Sequence, residues 1–326
     1  MKALITGITG MVGSHLADHI LESHSGVEIH GIIRWRSPLD NIRRIQNRVT
    51  LHHADLHDLN SLVEVMKSVK PDRIFHLAAQ SYVVDSFSAP ADTLAVNVIG
   101  TTNLLDAVRQ AKIDPLVHIC SSSEVYGQVR EDEVPIREHN PFRPASPYAV
   151  SKVGEDMIAL QYFLSYGVKT IRTRMFTHTG PRRGDVFAES SFAKQIAMIE
   201  AGLTSGNVVR VGNLDSVRTF ADVRDAVRAY WLLLEKCEPG EVYNIGGNQT
   251  MTIGEMLEVL IKSATCEIRH QVDPGLLRPS DVTLQIPDIS KFQAATGWQP
   301  KIPVETTMKD LLDYHRRLIE SQKAFV

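Results

Sequence analysis

Short apolar runs alternate along much of the chain with longer stretches whose apolar residues recur at helical spacing. Runs at 2–6, 27–33, 49–54, 73–77, 116–120, 168–174 and 242–245 read as buried strands. Between the first two, 11–23 reads as an amphipathic helix with Val12, Leu16, His19 and Ile20 on one stripe. The stretch 90–112 reads as one long helix that turns Leu94, Val98, Leu105 and Val108 inward, with Asn97 breaking its apolar run. A third helix, 146–166, has Val153, Met157, Leu160 and Leu164 as its buried face. Ala149, Ile158 and Phe163 lie outside that face, which points to a four-helix seam with a second copy. The expected assembly is a homodimer, with a homotetramer as the larger alternative. Past 175 the elements shorten, and 222–236 and 242–245 read as a helix and strand that return to the sheet. Alternation of this kind implies a parallel sheet covered on both faces.

Composition narrows the classes. A chain of 326 residues, 43% hydrophobic and 22% charged, is ordinary for a soluble globular protein. A net charge of -3 gives no electrostatic reason to expect nucleic acid or an anionic membrane as partner. Cys120, Cys237 and Cys266 have unrelated spacings, so neither a disulfide framework nor a zinc site is expected, and no metal is assigned. The apolar opening ends at Thr6-Gly7, too early for a signal peptide. No stretch approaches the ~18 apolar residues of a membrane span. A reducing cytoplasm is the expected compartment.

The chemistry concentrates at strand ends. Gly7, Gly10 and Gly13 follow the first strand and lead into Met11 and the first helix, a phosphate-binding arrangement of glycine turn and helix N-terminus. About 20 residues further on, where an NAD site places a carboxylate, stand Arg34 and Arg36. Guanidinium groups there suit a 2′-phosphate, so the expected cofactor is NADP, with NAD as the alternative. Ala78 and its small neighbours let backbone approach that cofactor, and Gln80 and Ser81 are candidates for substrate hydroxyls. The strand 116–120 delivers Ser122, Ser123 and Glu124, while Tyr148 and Lys152 stand one helical turn apart. A phenol near pKa ~10 is a poor base at neutral pH, and a neighbouring cation lowers that value. These residues together read as a hydride-transfer site with an added carboxylate. The chain is therefore expected to be α/β: a Rossmann-type doubly wound parallel sheet over 1–175, with a smaller C-terminal α/β substrate-binding lobe over 176–326. Arg218 and Arg278 are the leading diphosphate ligands, with Arg183 and Lys194 behind them.

The glycine spacing, the serine-rich strand end and Tyr148-x-x-x-Lys152 resemble the extended short-chain dehydrogenase/reductase family. Gly7-Ile8-Thr9-Gly10, Gly31-Ile32-Ile33-Arg34, Ala78-Ala79-Gln80-Ser81, Pro181-Arg182-Arg183-Gly184, Gly212-Asn213-Leu214-Asp215-Ser216 and Arg278-Pro279 look like GDP-mannose 4,6-dehydratases. Phe192-Ala193-Lys194-Gln195-Ile196 and Arg224-Asp225 instead resemble GDP-4-keto-6-deoxymannose reductases. Three positions depart from the dehydratase pattern: Ser122 replaces its usual Thr, Thr177 its Asn, and Met11 its Gln. The resemblance implies that Asp55 and Leu56 contact adenine, that Asn97 assists the active site, and that a GDP-sugar is the substrate. It implies dehydration by transient C4 oxidation, with Tyr148 as base, Ser122 on the same oxygen, and Glu124 moving protons at C5 and C6. If the strand runs on, Glu124 lies on the same side as Ser122. The alternatives are an NADPH-dependent 4-keto-6-deoxy-sugar reductase, an epimerase or decarboxylase, and a non-catalytic NADP sensor.

Overall fold

Apolar runs buried on both faces build the centre of the molecule. The computed structural model describes residues 1–277 and 282–323. Seven strands form the main sheet: β1 Lys2–Thr6, β2 Glu28–Ile33, β3 Thr50–His53, β4 Arg73–His76, β5 Leu116–Ser122, β6 Thr170–Met175 and β7 Val242–Ile245. Their order is β7-β6-β5-β4-β1-β2-β3, and every pairing is parallel. The connections part company between β1 and β4, opening the crevice in which sheets of this kind hold ligands.

Helices cover both faces. On one, α1 (Met11–Ser23) packs with a later helix, Val223–Lys236, through Leu16, Ile20, Tyr230, Trp231 and Leu233. On the other lie α2 (Leu59–Val69), α3 (Gly100–Gln110) and α4 (Pro147–Tyr166), sharing Leu62, Met66, Leu104, Val108, Ala159 and Tyr162. A separate apolar cluster joins α5 (Ala188–Glu200), α6 (the Val223–Lys236 helix) excepted, to two further helices, α7 (Ile253–Lys262) and α8 (Val304–Lys323). Small sheets lie beside that cluster, among them Val208–Val211 paired with Arg269–Val272. Among the described residues no helix is long and apolar enough to cross a membrane.

Two helices depart in part from their expected apolar stripes, although Leu105 and Val108 are buried as expected. The expected helix over 90–112 is interrupted: Pro90–Leu94 is α-helical, Ala95–Ile99 forms a π-turn, and α3 follows. Leu94 is exposed, whereas Thr93, Asn97 and Thr101 are buried. Asn97 accepts from the Gln80 N–H at 2.8 Å and donates to the Gln80 carbonyl at 2.9 Å and the Ser151 hydroxyl at 2.8 Å. Its burial is therefore satisfied. On α4, Met157 and Leu164 of the expected buried face are exposed, Leu164 at 71%. The buried face instead carries Tyr148, Ser151, Lys152, Glu155, Asp156 and Ala159. Gly154 lets Val98 approach, since a Cβ there would come within 2.8 Å of that side chain.

Polar residues can face the sheet because the sheet offers partners. Asp156 accepts from Arg172 of β6 at 2.8 Å and from Arg174 at 2.8 Å, all three side chains being almost wholly buried. Arg174 also donates to the Tyr126 hydroxyl at 3.0 Å, and Tyr126 donates to Asn244 of β7 at 2.7 Å. Removing the carboxylate would strand two buried guanidinium groups, so Asp156→Ala is expected to lower the unfolding free energy by about 3–5 kcal/mol. Urea denaturation measures it; a loss under about 1 kcal/mol would show that the triad contributes little.

Candidate active site

The ends of β1, β4 and β5 lie side by side, and their sequences supply three walls of one cleft. Gly7 leaves β1 at φ +70°, and a Cβ there would meet the Ala78 nitrogen at 2.9 Å. A Cβ on Gly13 would come within 2.3 Å of the Gly7 carbonyl oxygen. The loop closes with Gly10 N–H donating to that carbonyl at 3.0 Å. No side chain caps α1, whose N-cap is Gly10, so its first N–H groups are left for an anion. Met11 turns its side chain into the apolar core beneath the helix. The residues present thus fit a dinucleotide pyrophosphate.

The rest of the expected cofactor wall is a mixture. Arg34 and Arg36 are exposed just past β2, flanking Trp35, and neither forms an ion pair among the described residues. Asp55 follows β3, accepting from the His57 N–H at 2.9 Å; the N-cap of α2 is Asp58. Leu56 is packed inward against Gly100. Ala78 N–H donates to the Thr6 hydroxyl at 3.1 Å, and Thr6 is in turn joined to His76 at 2.9 Å.

At the β5 end the extended strand stops at Ser122. Residues Ser123–Tyr126 form a 3-10 turn, and the Ser122 hydroxyl accepts from the Glu124 N–H at 3.2 Å. Strand alternation therefore does not place Glu124; the capped turn does, two residues from Ser122. Ser123 is buried, and its carbonyl accepts from Gln285 at 3.3 Å.

Tyr148 enters on the first turn of α4, which Ser146 caps by accepting from the Ala149 N–H at 3.0 Å. Burial pushes the Tyr148 phenol up, while the Lys152 ammonium and a hydrogen bond with Ser122 pull it down. Lys152 donates to the Cys120 carbonyl at 2.9 Å and to the Glu155 carboxylate at 2.6 Å. Its pKa is raised: burial works against the charge, and Glu155, Tyr148 and Cys120 together more than offset it. Arg183 stands near enough to Tyr148 for their charges to interact, stacked 3.5 Å from the Phe187 ring centroid.

The substrate candidates are less uniform. Both polar atoms of the Gln80 side chain are engaged, the oxygen by Tyr82 N–H at 2.7 Å and the nitrogen by the Tyr82 carbonyl at 3.1 Å. Ser81 is exposed on the same loop. Lys194 pairs with Asp185 at 2.5 Å on a half-exposed face. Arg218 is buried and donates to the carbonyls of Val217 and Val282. Arg278 lies outside the described residues.

A parallel sheet with a glycine-lined helix N-terminus at β1 and a serine, tyrosine and lysine at β5 and α4 is the arrangement of the short-chain dehydrogenase/reductase type. The family model described as GDP-mannose 4,6 dehydratase matches residues 4–311, and the chain belongs to that family. A GDP-mannose 4,6-dehydratase of Yersinia enterocolitica is 34% identical, over 95% of this chain and 92% of its own. A GDP-6-deoxy-D-mannose reductase of Pseudomonas aeruginosa is 33% identical, over 98% and 99%. The structure of RMD from Pseudomonas aeruginosa complexed with NADPH superposes with a TM-score of 0.84 at 32% identity, covering 97% of this chain and 99% of that one. A nicotinamide dinucleotide, NAD or NADP, is the cofactor class of the family.

Sequence reasoning missed Glu155. Its signal was present: an acidic residue three positions after Lys152 lies on the same helix face, where a buried cation needs a counter-charge.

Proposed function

We propose that this chain is an NADP-dependent GDP-mannose 4,6-dehydratase, producing GDP-4-keto-6-deoxymannose and water. The observation that supports it is the placing of a carboxylate residue, Glu124, two residues after Ser122, in a turn that the Ser122 hydroxyl caps at the same strand end, with Ser122 lowering the pKa of the Tyr148 phenol. Bound nicotinamide would accept a hydride from C4 and return it to C6. Tyr148, with Lys152 beside it, takes the C4 hydroxyl proton, and Ser122 holds the same oxygen. The resulting ketone acidifies the C5 proton; Glu124 removes it and protonates the departing C6 hydroxyl. A proton is restored at C5 as hydride reaches C6, so the cofactor ends each turnover as it began. In this reading residues 1–175, with Val223–Lys236 and Val242–Ile245, hold the cofactor, and the remaining C-terminal portion holds the GDP-sugar.

The second reading is an NADPH-dependent reductase of the 4-keto-6-deoxy sugar. It is favoured by the Pseudomonas reductase, which aligns over nearly the full length of both chains at almost the same identity as the dehydratase. Incubation with GDP-mannose separates the two. Dehydration forms the keto product with no net change in NADPH absorbance, whereas reduction consumes NADPH only when the keto sugar is supplied.

Glu124→Gln is expected to slow water loss by about 10²–10⁴-fold while leaving NADP affinity intact. Full activity in that variant would remove Glu124 from the mechanism. Replacing Arg34 and Arg36 by Ala is expected to weaken NADP at least tenfold more than NAD, read by titration of each; equal losses would remove the 2′-phosphate role. Leu94, Ile99, Val150, Met157 and Leu164 leave an exposed apolar face on α4 and its neighbouring helix, which a second copy would cover. Light scattering should give twice the chain mass or a multiple of it, and a monomer would end the dimer proposal.

A further inference from the structure

Glu155 is a carboxylate with no part in the scheme above and almost no access to water. Its side chain is 1% exposed, and that of Lys152 is 5%. One oxygen, Oε2, accepts from the Lys152 ammonium at 2.6 Å. The other, Oε1, has no hydrogen-bond partner among the described residues. An ionised carboxylate half-satisfied in a dry interior is costly to keep, and the cation is what keeps it there. The cation is itself fixed from the strand side by the Cys120 carbonyl at 2.9 Å, and stands 6.0 Å from the Tyr148 ring centroid.

We propose that Glu155 is a positioning residue, which fixes where the Lys152 ammonium stands and limits how much of its charge the Tyr148 phenol feels. The proposal rests on Tyr148 and Lys152 being the reacting couple named above, and is the same for dehydration and for reduction.

The surroundings leave little else to play that part. From β4 and β5, His76 and His118 face the cluster as neutral rings, burial lowering each to about 3. Cys120 faces it from β5, and burial pushes that thiol up. The Tyr230 phenol approaches from α6, and burial raises it strongly. Arg183 approaches from the loop after β6, opposite in sign to Glu155. Asp156, next along α4, is already held by Arg172 and Arg174. Within the cluster Glu155 is therefore the carboxylate that directly opposes Lys152, and burial raises its own affinity for a proton.

The direction of the effect follows from charge. With Glu155 ionised, ionising the phenol adds a second negative group beside one cation; with glutamine there, it adds the first. Glu155→Gln should move Tyr148 ionisation to lower pH by about one unit. The readout is the tyrosinate absorbance of Tyr148, taken as the difference from a Tyr148→Phe protein, in otherwise wild-type and Glu155→Gln backgrounds without substrate. The acidic limb of the rate profile, followed on whichever GDP-sugar is turned over, should move the same way. Glu155→Asp retains the charge and should restore most of the wild-type position.

A uniform loss of rate at all pH values, with the tyrosinate titration unmoved, would overturn the proposal and leave Glu155 a structural residue. If the glutamine variant does not fold, Glu155→Met provides the same comparison with an apolar side chain of similar length, and an unmoved titration there has the same force. Failure of the underlying reading is separately visible: Tyr148→Phe would then keep full activity, whatever Glu155 does.

Discussion

A buried ammonium beside a phenol sets the terms for this structure. Lys152 must lie close to Tyr148 to lower its pKa, yet a cation removed from water needs hydrogen-bond partners and compensating charge. The Cys120 carbonyl supplies one partner from β5, and Glu155 the other from the same helix. Both depend on α4 lying flat across β5 and β6. Anything that holds α4 there also holds Tyr148 and Lys152.

What holds it is largely polar. Asp156 ties α4 to β6 through two arginines, and Ser151 ties it to the π-turn through Asn97. Asn97 in turn grips both backbone groups of Gln80, in the loop leaving β4. A second series runs from Thr6 on β1 through His76 on β4 to Thr101 on α3. These bonds link the strand ends that form the cleft, and their directionality fixes the register of helix on sheet where apolar packing alone would permit sliding. The two series share a helix, so the glycine loop and the phenol are positioned by one connected network.

That network explains which parts of the fold were legible beforehand. β1 and β7 came out residue for residue from their apolar runs, which burial on both faces leaves no choice of side, and α1 did so from its amphipathic spacing. The placement of the glycine loop, Ser122, Tyr148 and Lys152 was legible for a similar reason: each is tied to a strand end or to a fixed helical spacing. Helix orientation was not. Counting apolar residues put Leu94, Met157 and Leu164 inside, but the interior here prefers Asn97 and Asp156, each matched by a partner far away in sequence, and Glu155, matched by Lys152 on its own helix. The distant partners, Gln80, Arg172 and Arg174 among them, cannot be paired by periodicity. Nor could alternation show that β5 stops at Ser122, since the 3-10 turn follows from a serine cap rather than a change in apolar pattern.

Enclosure has two opposing consequences for the Tyr148 phenol. It raises the phenol's affinity for its proton, which opposes its use as a base, and it strengthens every charge that acts on the phenol. A site that excluded water without supplying cations would be inert. Here the flanking imidazoles of His76 and His118 are held neutral by the same burial, so they neither aid the phenol nor compete with Lys152 for counter-charge. The balance then falls to Lys152, Ser122 and Arg183 on one side and Cys120 and Glu155 on the other. A cationic nicotinamide entering the cleft would add to the first side at the moment hydride is to move from the sugar. In the proposed scheme, where Tyr148 is the base, the cavity that raises its pKa would thereby couple its activation to an oxidised cofactor.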